Sequence, residues 1–216
     1  FIHLAQQLVQ SHDQLSFEWL IDPQTQVFLQ HHVFSGECLV PAAISAELCM
    51  EAALHFAKVT PFSGAGAKQT HVTLKQFKIN RPVSLDIDQQ LRLYVVVTRL
   101  PDHAYQITLR RHLYHSSGKL LRQHVLVASA IVAFDARHHC APVPVQLTAT
   151  PCNTEANAFD FGQQPYYAVL NPSHGTLFQS LTGRFTLAHN KQWLRSEFNL
   201  SDKEQHFCDQ FNLPFA

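Results

Sequence analysis

The run HVFSGECLVP places a histidine at position 32, a glycine four residues later and a proline nine residues later. These residue types at this spacing suit proton transfer. A neutral imidazole, with an ordinary pKa of about 6.5, can take a proton from the carbon beside a thioester carbonyl. Gly36 has no side chain to obstruct a backbone N–H that approaches a substrate. Pro41 suits the first position of a helix, where its missing N–H costs nothing. A helix starting there adds the positive end of its dipole, favourable to a carbonyl oxygen gaining negative charge. The bland alternative is a histidine that only packs ahead of a glycine turn, so the surrounding elements decide between the two.

Those elements follow from periodicity. SFEWLI (16–21) reads as a short strand closed by Asp22-Pro23, and VFLQHHVFSGECLV is apolar and partly extended. From Pro41 to Val59 the pattern is helical. Glu47, Glu51, His55 and Lys58 form one narrow polar stripe, and nearly everything else is apolar, so the helix is expected to be buried on most sides with its stripe wetted. Strand then follows strand: 70–85, 89–100, 104–115 and 120–134, all rich in β-branched and aromatic residues. In the third, Tyr105, Ile107, Leu109 and Leu113 alternate with Gln106, Thr108, Arg110 and His112, the mark of a half-buried antiparallel strand. Ser116–Lys119 supplies a hairpin turn. One buried helix followed by an antiparallel meander predicts an α+β hotdog fold, a sheet wrapped around a long helix. Residues 135–165 hold four prolines and little periodicity and read as a linker. PYYAVLNPSHG then suggests a short helix, and 178–200 another hairpin. The predicted organisation is an N-terminal hotdog over 1–134, the linker, and over 166–216 the start of a second, incomplete unit: a double hotdog.

Composition narrows the function classes. Among 216 residues Lys plus Arg and Asp plus Glu are both 16, so no basic excess points to nucleic acid or an anionic membrane. No apolar run approaches the roughly 20 residues of a membrane span. The start has no signal-peptide pattern and no initiator Met, which suggests a piece of a longer chain. Five cysteines without C-x-x-C spacing suggest reduced thiols and a cytoplasmic location. Fifteen histidines raise the question of metal, but His31-His32 and His138-His139 are adjacent pairs, and neighbours on a strand face opposite ways. No metal site and no bound cofactor are expected. Cys38 lacks a thiol-protease pairing and reads as core or pocket lining.

FLQHHVFSGECLVPAAISAELCMEAA resembles the opening of polyketide synthase-type dehydratase domains, those of polyunsaturated fatty acid synthases above all. FKINRPVSL is similar to a strand of that family carrying a proline break. HGTLFQSLTG (174–183) resembles its second motif, with Gly175, Phe178 and Gln179 matching, while His174 and Thr176 stand where the family has Tyr and Pro. The resemblance implies removal of water from a 3-hydroxyacyl chain carried on the phosphopantetheine of an acyl carrier protein. It casts His32 as the catalytic base and Gly36, Pro41, His174, Gly175, Phe178 and Gln179 as substrate-binding residues. It further implies the carrier and neighbouring synthase domains as partners, and a homodimer formed through the sheets. It also implies an acid, an Asp on the second hotdog helix. FNLPFA (211–216) is similar to the approach to that Asp, and Asp209 lies slightly upstream and reads as a solvated loop carboxylate. Two other readings stay open: a non-catalytic pseudo-dehydratase that scaffolds or docks a carrier, and a product-template or thioesterase-like hotdog domain.

Overall fold

The computed structural model describes residues 5–59, 71–135, 157–159, 174–178, 181–187, 194–198 and 202. Contacts divide the chain into two compact units, one comprising Phe1–Gln30 and Phe34–His138, the other His31–Val33 and His139–Ala216. The short segment carrying His32 therefore belongs with the C-terminal part of the chain, which no local pattern announces.

The first unit is a six-stranded antiparallel sheet and one helix. The sheet contains β1 (Gln6–Gln10), β2 (Gln14–Ile21), β5 (His71–Ile79), β7 (Leu91–Leu100), β8 (Ala104–Tyr114) and β9 (Leu120–Asp135), in the order β1-β2-β7-β8-β9-β5. A small sheet joins β3 (Val33–Phe34), β4 (Glu37–Leu39) and β6 (Ser84–Leu85). The helix α1 (Ala42–Val59) packs on β5, β7, β8 and β9. This is the hotdog arrangement.

The core sits between helix and sheet because alternation puts one face of each strand inward. On β2 these residues are Leu15, Phe17, Trp19 and Ile21, paired in register with Val97, Val95, Leu93 and Leu91. Leu48, Ala52 and Phe56, at helical spacing on α1, complete the seam. Pro41 precedes the helix by one residue. Its carbonyl accepts the first helical hydrogen bond from the Ser45 N–H at 3.2 Å, so it occupies the capping position rather than the first helical one.

Two strands were not legible as such. Strand β1 has five exposed residues, QQLVQ, and shows no alternation because it is an edge. Strand β10 (Asn157–Phe159) falls inside the segment expected to be linker; it is only three residues long, too short for a period to show. In the second unit β10 pairs with β11 (Leu181–Leu187), and β11 with β12 (Leu194–Phe198), all antiparallel. The expected second hairpin is β11–β12. The expected short helix before Pro172 lies outside the described residues, as does FNLPFA (211–216); where a second hotdog unit was expected, the described residues form this three-stranded sheet. Among the described residues no helix is long and apolar enough to cross a membrane.

Candidate active site

Within the second unit, two stretches far apart in sequence meet. His32 and His174 form an isolated antiparallel β-bridge, which brings the first motif against the second. Beside it the Gly175 N–H donates to the His31 carbonyl at 2.7 Å. The Leu177 N–H, in the 3-10 turn Thr176–Phe178, points to His31 Nδ1 at 3.5 Å. That N–H is one of the orphan donors at a helical start. Accepting it requires the His31 proton to sit on Nε2. His31 is thus a positioning residue for the bridge, and the one hint of it in the sequence is its adjacency to His32.

Gly175 is required by this packing. A Cβ there would fall 2.5 Å from His31 Nδ1 and 2.9 Å from His31 Cα. The close approach it permits is to the histidine segment, which is a more specific reason for glycine than general substrate contact.

The rings of His32 and His174 lie 5.2 Å apart at 71°, edge to face, and both residues are half-buried. His174 Nδ1 is sealed from solvent. Burial, and then the charge of His32, hold the His174 pKa below its ordinary value. A positive charge on His32 therefore weighs against one on His174. The histidine standing in place of the family's Tyr thus lies directly against the proposed base. Phe178 ends the 3-10 turn. Gln179 and Asp209 lie outside the described residues.

Gly36 and Pro41 belong to the first unit. Ser35 and Gly36 have φ of 52° and 88° and link β3 to β4 as a two-residue loop, the positive-φ pair that a type I′ turn demands. A Cβ on Gly36 would meet nothing within 4 Å. Glycine suits this position for its backbone conformation, and no protein atom crowds the space that a side chain here would take.

The polar stripe of α1 is also corrected. Glu47 and Glu51 are both buried, Glu47 at 9% exposure. Burial first, and the neighbouring charge of Glu51 second, push the Glu47 carboxyl up to about 7. Its Oε1 has no hydrogen-bond partner among the described residues. Cys38 is buried with its thiol pKa raised by burial and by Asp86, and Cys49 is pushed up to about 12 by burial. Neither is a thiolate nucleophile at neutral pH, in keeping with a core role for Cys38. Among the described residues no group of three or more His, Cys, Asp or Glu could hold a metal.

With this geometry in hand, known proteins supply the context. The profile of the polyketide synthase dehydratase domain matches residues 3–112. No curated protein sequence matches. Among solved structures, the dehydratase domain from the CurF module of curacin polyketide synthase superimposes with a TM-score of 0.69 at 15% identity, covering 93% of this chain and 66% of that one. A variant of the PpsC dehydratase domain from Mycobacterium tuberculosis gives 0.64 at 16% identity, covering 94% and 65%. An N-terminal dehydratase from the difficidin assembly line gives 0.60 at 17% identity, covering 92% and 64%. The chain spans just under two thirds of the length of each of these three, and at such identities the likeness establishes the fold.

Proposed function

Because the chain belongs to the polyketide synthase dehydratase domain family, we propose that it removes water from a 3-hydroxyacyl chain held as a thioester on the phosphopantetheine of an acyl carrier protein, with His32 as the base. The observation that carries this reading is the antiparallel bridge between His32 and His174. It joins, inside one unit, the two segments whose residues match the family's motifs.

In the proposed step neutral His32 takes the proton from C2, the carbon beside the thioester carbonyl. The C2–C3 double bond forms as the C3–O bond breaks, and the hydroxyl leaves as water with a proton from an acid. FNLPFA (211–216), which resembles the approach to that acid, lies outside the described residues. Burial, and then the charge of His32, weigh against a proton on His174. His31 and Gly175 hold the bridge in register.

The carrier and neighbouring synthase domains are the partners this reading requires, and a polyunsaturated fatty acid synthase is the setting that the first motif favours. A second copy is a further partner. Strand β1 is a sheet edge with all five residues exposed, and such an edge offers unpaired N–H and C=O groups to another strand.

The test is incubation of the protein, and of His32→Ala, with a 3-hydroxyacyl carrier thioester, reading the acyl mass. Loss of one water with the wild type and not with the variant supports the reading. Wild-type protein that binds the carrier without turning it over would instead favour the scaffold alternative.

A further inference from the structure

In the first unit, β8 and β9 run on toward their turn past a break in the ladder. Arg111 pairs with Val125 and Leu113 with Arg122, so two residues, Gln123 and His124, stand opposite the single residue His112. That is a β-bulge, which leaves its extra residue outside the ladder. His124 has a φ of 50°, in the left-handed region that residues with a side chain rarely adopt. Side chains of β8 meet its backbone groups: its N–H donates to His112 Nδ1 at 3.1 Å, and its carbonyl accepts from Arg110 Nη1 at 3.3 Å. The rings of His112 and His124 lie 4.7 Å apart at 75°. Tyr94 of β7 stands 4.7 Å from His112 and 5.5 Å from His124, and Tyr114 stands 6.3 Å from His112.

The bond to His112 fixes a protonation state. A ring nitrogen that accepts a backbone N–H carries no hydrogen, so neutral His112 keeps its own on Nε2. The imidazolium form has an N–H at both nitrogens. Its Nδ1–H would meet the His124 N–H head on, and the bond would be lost. Alternation along β8 puts Tyr105, Ile107 and Leu109 against the helix and His112 on the other face. The charged and titratable groups on that face are Glu18 of β2, Arg92 and Tyr94 of β7, Arg110 and Tyr114 of β8, and His124 of β9. Glu18 is engaged by Arg92 and by Tyr94. Beyond the bulge Tyr114, Leu120 and Leu121 are exposed, so little apolar burial holds the end of the hairpin.

We propose that His112 is a proton-sensitive latch: neutral, it holds the bulge at His124 closed, and protonated, it releases the hairpin end from Leu113 to Arg122. Burial, and then the charge of His124, hold the His112 pKa below its ordinary value, while Glu18 pulls it up. In the open hairpin His112 returns to the ordinary value of about 6.5. Closure is therefore fully favoured above that pH, weakens as the pH falls through it, and levels off below the lowered value of the closed form. The latch is independent of the dehydratase reading.

Amide hydrogen exchange of the whole protein, resolved by NMR and corrected for the intrinsic effect of pH, tests it between about pH 7.5 and about pH 5. Protection at His124 and over Leu113–Arg122 is expected to fall about tenfold toward the acid end. Over Tyr105–Leu109, in the same sheet, it should not fall. In His112→Asn the amide oxygen takes the place of Nδ1 and accepts without titrating, so protection at His124 should stay high throughout. In His112→Ala it should be low throughout. Wild-type protection at His124 that ignores pH, or a fall that persists in His112→Asn, overturns the proposal. A further reading needs no variant: the ring nitrogen shifts of His112 should place the neutral proton on Nε2, and a proton on Nδ1 would overturn the latch as well.

Discussion

Consider Glu47→Gln. In the folded protein the Glu47 carboxyl is buried beside Glu51 and its pKa is raised from 4.5 to about 7; in the unfolded chain it returns to its ordinary value. Below pH 4.5 both states hold the proton and the carboxyl costs nothing. As pH rises from 4.5 through 7, the unfolded chain releases its proton first, so stability falls across that window and levels off above it. At about 1.4 kcal/mol per pH unit the full loss is about 3 kcal/mol. The glutamine variant has no proton to lose. It is expected to match the wild type near pH 4 and to exceed it by about 2–3 kcal/mol at pH 8, a rise in melting midpoint of roughly 4–12 °C for a chain of this size. Urea or thermal unfolding followed by circular dichroism across pH 4–8 reads the difference. Glu51→Gln should recover a smaller part, because burial is the larger cause and the charge of Glu51 the lesser. A wild type and Glu47→Gln variant whose stability curves run parallel over the whole pH range would refute the burial of an ionisable Glu47.

Other substitutions test the site and the turn. Gly175→Ala drives a Cβ into His31, 2.5 Å from Nδ1, and is expected to cost about 1–3 kcal/mol and to shift the His31 ring resonances; an unperturbed histidine spectrum would contradict the close approach. Gly36→Ala meets no atom but must hold φ at 88°, so its cost should be about 1 kcal/mol, with Gly36→Asn milder, as denaturant midpoints will show. In His32→Ala, His174 loses the charge that helps depress it, so its NMR titration should move up toward the ordinary histidine value without reaching it, since burial remains the larger cause.

These tests also show where sequence reasoning reached and where it stopped. The helix over 41–59 and the meander from 70 to 134 were legible because apolar residues recur at 3.6 and 2, and the structure has α1 and β5 to β9 there. Periodicity says which side chains share a face, not what covers that face. Glu47 and Glu51 were correctly placed on one stripe and wrongly left in water. Arg111 broke the apolar alternation of β8, yet the backbone keeps the period and carries the guanidinium inward. The polar edge β1 and the three-residue β10 had no alternation to read. At the site, His32, His174 and Gly175 were picked out by spacing and resemblance. The contact between them spans more than 140 residues of chain, and so does the role of His31; no local pattern encodes either.

The most direct measurement of the central claim follows deuterium. A 3-hydroxyacyl carrier thioester is incubated in heavy water with wild-type protein and with His32→Ala, and C2 is read by mass spectrometry alongside loss of water. Proton abstraction by His32 predicts deuterium at C2 and the unsaturated product with the wild type. The folded variant should be slower by about 10²–10⁴ in both. A His32→Ala protein that exchanges C2 and eliminates water at the wild-type rate would contradict the assignment of His32 as the base.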